Sequence, residues 1–264
     1  MKNFKQIGIV GTGPGHPDYL TKRAMDYIRQ ADVVLYDCLV DEVIFDVIPP
    51  GVQLIRVEKK FRIGNGVDIF DQEILQKVIQ YAKEGKQVVR IKPGDGLNYN
   101  SGGMENDYYE HHGLEVELVP GVPAHLAAAN IYKLNLTEIG QSNACVTLIL
   151  DNIEKQRGQI TSIAKLMVEN DTPVCIYPMY LKNVFSLMDL FQELNVPNTL
   201  PVAVCCDISL HSGSVFRSSL GECNDMMELL HNENQLPGHF ILVMGTYILE
   251  SYVTYKIRTE KLLI

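Results

Sequence analysis

The chain has 264 residues, of which 46% are hydrophobic and 21% charged, and its formal net charge is −9 at pH 7. This composition suits one large or two modest folded domains. The acidic balance argues against a general nucleic-acid surface, which needs clustered Lys and Arg to neutralise phosphates. No run approaches the ~20 apolar residues of a membrane helix, and the start MKNFKQIGIVGTG does not resemble a secretion signal, so we expect a cytoplasmic protein without a membrane partner.

The six cysteines are spread along the chain, at positions 38, 145, 175, 205, 206 and 223. They form no C-x-x-C pair, and no histidine follows them at a spacing typical of zinc ligands. We therefore expect no metal site, and we interpret the cysteines as small buried hydrophobic residues.

Apolar runs alternate with amphipathic segments in the first half, which predicts strands at 6–10, 33–36, 87–91 and 115–119. The segment FDQEILQKVIQYAKEGK predicts a helix that stops at Gly85 and whose apolar face consists of Phe70, Ile74, Val78 and Tyr81. The segment DYYEHHG predicts another helix. Such alternation is typical of a mainly parallel sheet with helices on its faces.

The turn-rich segment VPGVP, at 119–123, interrupts this alternation, so we place a domain boundary there, between domains at 1–119 and 120–264. After it, strands are predicted in ACVTLIL, PVCIY, PVAVCC, SVFRSSL and HFILVMG, with helices near 160–169, 183–194 and 223–230. Hydroxyl-rich turns flank SVFRSSL, which favours hairpins and a mixed second sheet. The predicted fold class is therefore two α/β domains.

The loop GTGPGHPDYLT, at 11–21, follows the first strand and looks at first like a dinucleotide-binding loop. The pattern G-x-G-x-x-G would need glycine at position 16, where the chain has His16. Pro14 has no N–H to offer a phosphate. An NAD-binding site is thus disfavoured, although Asp37 after the second strand would suit one.

Four segments, taken in order, resemble the tetrapyrrole methylase family. They are GTGPGHPDYLTKRAMDYIRQADVVLYDCLV, then VVRIKPGDG followed by SGGME, then VELVPGVPAHLAAA, then LNLTEIGQS. The similarity is greatest to the uroporphyrinogen-III C-methyltransferase branch and extends over nearly the whole chain. The run Ala31 to Asp37 matches the family pattern Ala-Asp-Val-Val-Leu-Tyr-Asp without a change.

The chain departs from that branch around its second motif, where the usual sequence is Lys-Gly-Gly-Asp-Pro-Phe and, after two residues, Gly-Arg-Gly-Gly-Glu-Glu. The spacing is kept, but Gly96 replaces the proline, Leu97 the aromatic and Ser101 the arginine. Further on, Pro123 replaces a threonine, and the usual Leu-Thr-His-Arg has become LTEI. These changes leave the identity of the methyl acceptor open.

The resemblance implies a fold with S-adenosyl-L-methionine in the cleft between two domains. The implied cofactor contacts are Pro14, Gly94, Asp95, Ala124, Met179, Ala203 and Gly238. Glycine turns suit such a ligand because they let it approach the backbone closely. The chemistry implied is C-methylation of uroporphyrinogen III to precorrin-2, for sirohaem or cobalamin biosynthesis.

The remaining implied roles concern the acceptor. Asp37, at the carboxyl end of the second strand, is the candidate acceptor of the proton that the macrocycle must lose. Tyr99 is placed by the resemblance beside the tetrapyrrole, and Lys59 and Lys60 lie in the basic cluster RVEKKFR, which suits a substrate with many carboxylates. The family also implies a homodimer and gives no reason to expect a nucleic-acid partner.

Several alternatives stay open from the sequence. Asp37 and Asp95 are also common turn residues, and the basic cluster also suits a solvated loop. The acceptor could be another tetrapyrrole or an unrelated molecule, and the chain could be a paralogue that binds without catalysis.

Overall fold

The computed structural model describes residues 4–37, 39–57, 72–137, 142–237 and 239–249. Its internal contacts divide the chain into two compact units, Met1–Ala124 and His125–Ile264. Each unit is built on one five-stranded sheet. None of the helices in the described ranges is both long and apolar enough to cross a membrane.

The first unit is a parallel α/β sheet in the order β3-β2-β4-β1-β5. Its strands are β1 (Ile7–Gly11), β2 (Val33–Asp37), β3 (Gln53–Val57), β4 (Val88–Lys92) and β5 (Val116–Val119). Its helices are α1 (Lys22–Arg29), α2 (Gln72–Lys83) and α3 (Gly102–His111), with short 3-10 turns at Pro17–Tyr19 and Glu42–Val47. The parallel pairing confirms the prediction of a mainly parallel first sheet.

Both faces of this sheet are covered, which is why its central strands are apolar throughout. Every residue of β1 and β4 is buried. One face packs against α2 and α3, and Val78 and Tyr109 are fully buried there. The other packs against α1, where Tyr27 and Ile28 are fully buried. Of the predicted helix face at 70–81, Phe70 lies outside the described residues.

The second unit contains a mixed sheet in the order β6-β7-β10-β8-β9. Its strands are β6 (Val146–Leu150), β7 (Val174–Pro178), β8 (Pro201–Cys206), β9 (Ser214–Ser219) and β10 (Phe240–Met244). The helices are α4 (Ala124–Tyr132), α5 (Ile153–Asn170), α6 (Leu181–Glu193) and α7 (Cys223–Asn232), and Leu220–Glu222 is a 3-10 turn. β6 and β7 are parallel, whereas β10 is antiparallel to β7 and β8, and β8 pairs with β9 as a hairpin. The predicted mixed sheet and hairpin are confirmed.

Candidate functional site

Three loops of the first unit meet at the carboxyl edge of the parallel sheet, after β1, β4 and β5. Gly13 donates from its backbone N to the Gly94 carbonyl at 3.0 Å, and Gly94 donates in return to the Gly13 carbonyl at 2.8 Å. The third loop is held by Gly121, whose N–H donates to Asp95 Oδ2 at 3.0 Å. This edge is where open parallel sheets bind ligands.

The three loops approach so closely that their contact points have no room for side chains. A Cβ at Gly121 would lie 2.1 Å from the Gly94 oxygen, and one at Gly11 would lie 2.6 Å from the Gly121 nitrogen. Gly94 also has a φ of +63°, which L side chains rarely adopt. We call this contact of Gly11, Gly94 and Gly121 the glycine junction.

The Asp95 carboxylate fixes the shape of the second loop. Its Oδ1 accepts from the backbone N of Leu97 at 2.9 Å and of Asn98 at 3.1 Å. With the Gly121 bond, three backbone amides surround one carboxylate. Asp95 therefore organises the loop through these bonds, which agrees with the turn role left open from the sequence.

The structure brings together four of the predicted cofactor contacts at the glycine junction. Pro14 directly follows Gly13 and is partly exposed, as are Gly94 and Asp95. Ala124 follows Pro123, whose Cα is 3.9 Å from the position of a Cβ on Gly94. These residues come from separate segments of the sequence and share one edge of the first unit.

Next to the junction lies a fully buried group of charges, which we call the charge cluster. It consists of Asp37 at the end of β2, Arg90 and Lys92 on β4, and Glu105 on α3, all at most 5% exposed at their side chains. Arg90 pairs with Asp37, and its Nε donates to Glu105 Oε2 at 3.0 Å. Two cations and two anions thus neutralise each other in the interior, as buried charges require.

Lys92 connects the charge cluster to the loops. Its ammonium pairs with Glu105, donates to Ser101 Oγ at 2.9 Å and lies 3.5 Å from Asp37 Oδ2. Its carbonyl accepts from both the backbone N and the hydroxyl of Thr12, at 2.8 and 3.0 Å. One residue therefore fixes the first loop through its backbone and the start of α3 through its side chain.

The charge cluster shifts the ionisation of its members in different directions. Burial lowers the pKa of Lys92, and the nearby Arg90 lowers it further. Burial alone would raise the pKa of Glu105, but the charges of Arg90 and Lys92 outweigh it and lower that pKa. The pKa of Arg90 is raised, because the attraction of Glu105 and Asp37 exceeds the effect of its burial.

Asp37, the predicted catalytic residue, is completely buried within this cluster. Its carboxylate contacts Arg90 and Lys92, whose positive charges favour its ionised form. A carboxylate that accepts a proton directly from a ligand needs to reach that ligand. The position of Asp37 therefore favours a role in holding Arg90 and Lys92 in place over direct proton transfer from a ligand.

The predicted acceptor contact Tyr99 lies on the second loop, with a left-handed φ of 54°. It is 38% exposed, and Leu97 and Met104 nearby in the chain are 57% and 43% exposed. We call these three side chains the apolar rim. The predicted contacts Lys59, Lys60 and Gly238 lie outside the described residues.

Of the two other predicted cofactor contacts in the second unit, one follows β7 and the other lies on β8. Met179 directly follows β7, is 40% exposed, and donates from its backbone N to the Leu150 carbonyl at 2.9 Å. Ala203 is fully buried in β8, opposite Val243 of β10 and Arg217 of β9.

A histidine–tyrosine pair in the second unit was not predicted from the sequence. His125, in the first turn of α4, is 8% exposed, and its Nδ1 lies 2.7 Å from the hydroxyl of Tyr177 on β7. The backbone N of His125 donates to the same hydroxyl at 3.0 Å. Burial lowers the pKa of His125. The pair joins the start of α4 to the end of β7, two residues before Met179.

Within the described ranges, no group of three or more His, Cys, Asp or Glu side chains is arranged to hold a metal ion. The site consists instead of glycine backbone, hydrogen-bonded loops and a neutralised cluster of charges. Proteins with an open α/β sheet commonly bind small molecules at the loops that follow the carboxyl ends of the strands. The fold and site of this protein are of that class.

Comparison with known proteins places the chain within that class. The model of the Tetrapyrrole (Corrin/Porphyrin) Methylases matches residues 6–224. The chain belongs to this family. The matched range includes the glycine junction, the charge cluster and the His125–Tyr177 pair.

Two curated relatives illustrate the similarity. A protein named siroheme synthase from Psychrobacter arcticus is 30% identical over 245 residues, which are 92% of this chain and 42% of that protein. A uroporphyrinogen-III C-methyltransferase from Methanocaldococcus jannaschii is 29% identical over 240 residues, 90% of this chain and 95% of that protein. The chain spans about half or less of the siroheme synthases it matches.

Solved structures confirm the fold of two α/β units. A cobalamin biosynthetic enzyme, cobalt precorrin-4 methyltransferase, aligns with a TM-score of 0.76 and 23% identity over 93% of this chain and 96% of its own. The uroporphyrin-III C-methyltransferase from Thermus thermophilus, complexed with S-adenosyl homocysteine, has a TM-score of 0.71 and 24% identity over 90% and 96%.

Proposed function

We propose that the chain is an S-adenosyl-L-methionine-dependent C-methyltransferase that acts on uroporphyrinogen III. The observation that carries this proposal is the glycine junction, which lies at the ligand-binding edge of a parallel sheet in a chain of the tetrapyrrole methylase family. The relative from Methanocaldococcus jannaschii, 95% of whose length aligns with this chain, is named uroporphyrinogen-III C-methyltransferase.

The geometry of the first unit fits the methyl donor better than it fits a dinucleotide. The glycines of the junction let the three loops pack closely, and Pro14 and Gly94 beside this contact are partly exposed, so a ligand can lie directly against them. Pro14 cannot donate to a phosphate, and S-adenosylmethionine has none. On the resemblance alone, Met179, Ala203 and Gly238 remain proposed donor contacts, and Lys59 and Lys60 proposed acceptor contacts.

The donor, when bound, supplies an electrophilic methyl group on a sulfonium. The protein's own task is to align that methyl with a carbon of the acceptor, since the alignment of two reactants supplies much of such a rate enhancement. Asp95 and the junction hold the loop against which the donor rests. The charge cluster keeps β2, β4 and α3 in fixed positions below that loop.

The burial of Asp37 leads us to propose for it a positioning role. By pairing with Arg90 and Lys92, it keeps these cations oriented, and Lys92 in turn holds Thr12 and Ser101. The proton that leaves the macrocycle would pass to a bound water.

The direct test is calorimetric titration of the purified chain with S-adenosylmethionine, its demethylated product S-adenosylhomocysteine, and NAD as a control. We expect micromolar dissociation constants for the first two, about −8 kcal/mol, and no heat from NAD. An anaerobic assay with uroporphyrinogen III should then yield a methylated product. Donor binding without turnover of any porphyrinogen would contradict the proposed acceptor, and absence of donor binding would favour a non-catalytic paralogue.

The apolar rim supports a second candidate, a methyltransferase for a tetrapyrrole with fewer carboxylates. Leu97, Tyr99 and Met104 expose apolar surface, and the sequence from Pro93 to Asn106 contains no Lys or Arg. Parallel assays with the eight-carboxylate uroporphyrinogen III and the four-carboxylate coproporphyrinogen III separate the two candidates. A higher kcat/KM for the latter would favour the second.

We further propose that the protein is a cytoplasmic homodimer, which rests on the family resemblance. Sedimentation velocity of the purified chain should give a single species of about twice the monomer mass of 29.7 kDa. A monomer over a wide concentration range would refute it.

A further inference from the structure

Two thiols of the second unit lie in contact, far from each other in sequence. Cys175 is the second residue of β7, and Cys145 immediately precedes β6, the strand paired with it. Because Thr147 pairs with Cys175, the side chains of Cys145 and Cys175 project from the same face of the sheet. Their Sγ atoms are 3.8 Å apart.

The two cysteines differ in access to solvent. Cys145 is partly exposed, whereas Cys175 is fully buried. The hydrogen bond from the Cys175 thiol lowers the pKa of Cys145, and the same bond, with burial, raises the pKa of Cys175. Thiolates, and not thiols, are the nucleophiles of cysteine chemistry. Cys145 is therefore placed to react first and Cys175 second.

The other cysteines that the structure describes lack this arrangement. Cys205, Cys206 and Cys223 are buried, and burial raises the pKa of each to about 12. They serve as internal controls, because a general oxidant should leave them unmodified in the folded protein.

We propose that Cys145 and Cys175 are a redox-active pair that a peroxide converts into a disulfide. The Cys145 thiolate attacks one oxygen of hydrogen peroxide, which breaks the O–O bond, forms a sulfenic acid and releases hydroxide. Cys175 then attacks the sulfenic sulfur as it loses its proton, and a second hydroxide leaves. The two sulfurs are oxidised and the peroxide is reduced; with the two protons of the thiols, both hydroxides become water.

Because Cys145 lies two residues before Thr147, the partner of Cys175, it is diagonal to Cys175, and its backbone must move toward β7 for the bond to form. The sulfurs must approach from 3.8 Å to the disulfide distance of about 2.0 Å. Cys145 precedes the first paired residue of β6, Val146, so its backbone can adjust without loss of the ladder. The product would join β6, at the edge of the sheet, covalently to β7. The inference is independent of the proposed methyltransferase activity.

The test treats the folded chain with hydrogen peroxide, blocks the remaining thiols by alkylation, and maps the peptides by mass spectrometry. We expect one new crosslinked peptide pair that contains Cys145 and Cys175, with loss of two hydrogen atoms. In Cys175→Ser the reaction should stop at a sulfenic acid on Cys145, which dimedone traps. In Cys145→Ser, Cys175 should stay reduced.

Two matched variants complete the test. Cys38→Ser should form the same crosslink, which shows that Cys38 takes no part, and Cys223→Ser should do likewise. The proposal is overturned if the 145–175 peptide pair does not form in the folded chain, or if Cys205, Cys206 or Cys223 oxidises first. Circular dichroism before treatment verifies that each variant is folded.

Discussion

Lys92 joins the charge cluster to two loops of the candidate site, through its ammonium and through its backbone carbonyl. It is fully buried, and its charge completes the balance of the charge cluster. Its removal therefore leaves two buried carboxylates with a single cation. We therefore expect Lys92 to contribute both to the stability of the first unit and to the shape of its loops.

Lys92→Met should destabilise the protein by about 3 kcal/mol, since breaking a buried ion pair leaves an uncompensated charge. The double variant Lys92→Met with Glu105→Gln removes one charge of each sign and should recover part of that loss. Urea unfolding of the three proteins measures the difference. Equal stability of the single and double variants would show that charge balance is not what Lys92 supplies.

Asp37→Asn should lower kcat/KM and stability together, because it weakens the hold on Arg90 and Lys92. The pH dependence of kcat/KM decides between the two roles of this residue. If Asp37 acts by positioning, the variant keeps the wild-type pH profile at a lower rate. Loss of the acidic limb of the profile would instead identify Asp37 as the group that takes the proton.

His125 should make stability depend on pH. Its pKa is lowered by burial, so the unfolded chain, with a pKa of about 6.5, takes up a proton where the folded chain does not. The full stability is therefore present above about pH 6.5 and declines as the pH falls below it. His125→Asn should flatten the urea-unfolding free energy between about pH 8 and 5.5.

Tyr177→Phe is the control for His125, because it removes the hydroxyl partner and keeps the buried imidazole. Its stability should still decline as the pH falls below 6.5. If the decline persists undiminished in His125→Asn, another group is responsible for it.

Individual site residues could be predicted from the sequence only where a motif marks them. The Gly94–Asp95 loop was predicted in this way, and the structure brings it together with Pro14 and Ala124, while contact of these residues with the cofactor stays a prediction. Lys92 and Glu105 are charged residues, which are mostly exposed, and nothing local indicates their burial. The His125–Tyr177 pair joins residues 52 positions apart, and a single sequence does not report such contacts.

At the level of elements, the glycine junction requires that three loops keep glycine where they pack against one another. Gly121→Ala would place a methyl group 2.1 Å from the Gly94 oxygen, so the second and third loops must separate. We expect S-adenosylmethionine affinity, measured by calorimetry, to fall more than about tenfold, which corresponds to 1.4 kcal/mol. Unchanged affinity would mean that the junction does not shape the donor site.

Gly158→Ala is the matched control. Gly158 lies inside α5, and a Cβ there would meet nothing within 4 Å. The substitution should leave donor affinity unchanged and stabilise the protein by roughly 0.5–1 kcal/mol, because alanine favours a helix over glycine. A destabilised Gly158→Ala variant would contradict this account of the helix.

Most elements were predictable because their patterns are strong. The strands now called β1, β2, β4 and β5 were expected within one residue of their observed ends. β3 was missed, since it is an edge strand in which Gln53, Leu54 and Arg56 are exposed, and it contains no long apolar run. α4 was missed because the prolines of VPGVP suggested only a turn, although the helix begins directly after them.

At the scale of the whole molecule, binding and stability are linked. A ligand that binds only the folded chain adds about 2.7 kcal/mol at one hundred times its dissociation constant. For a chain of this size the melting temperature should rise by roughly 5–10 °C with S-adenosylhomocysteine. NAD at equal concentration is the control, and a rise of the same size with NAD would indicate a nucleotide site.

The whole fold followed from the sequence because periodicity and motifs agreed on two α/β units. The acceptor did not follow, because residues usual for the branch are replaced around the second motif, at Gly96, Leu97 and Ser101. Leu97 and Met104 are 57% and 43% exposed, so the packing of the fold places little restriction on their identity.

The glycine junction has a consequence for how this protein can diverge. At Gly11 and Gly121, a new side chain would meet main-chain atoms, which no second substitution can make smaller. A second mutation can relieve crowding between two side chains in a core, but it cannot relieve the clash that a side chain at Gly11 or Gly121 would cause. The apolar rim faces no such barrier. A lineage built on this scaffold can therefore exchange these exposed side chains many times over while the backbone beneath them stays the same.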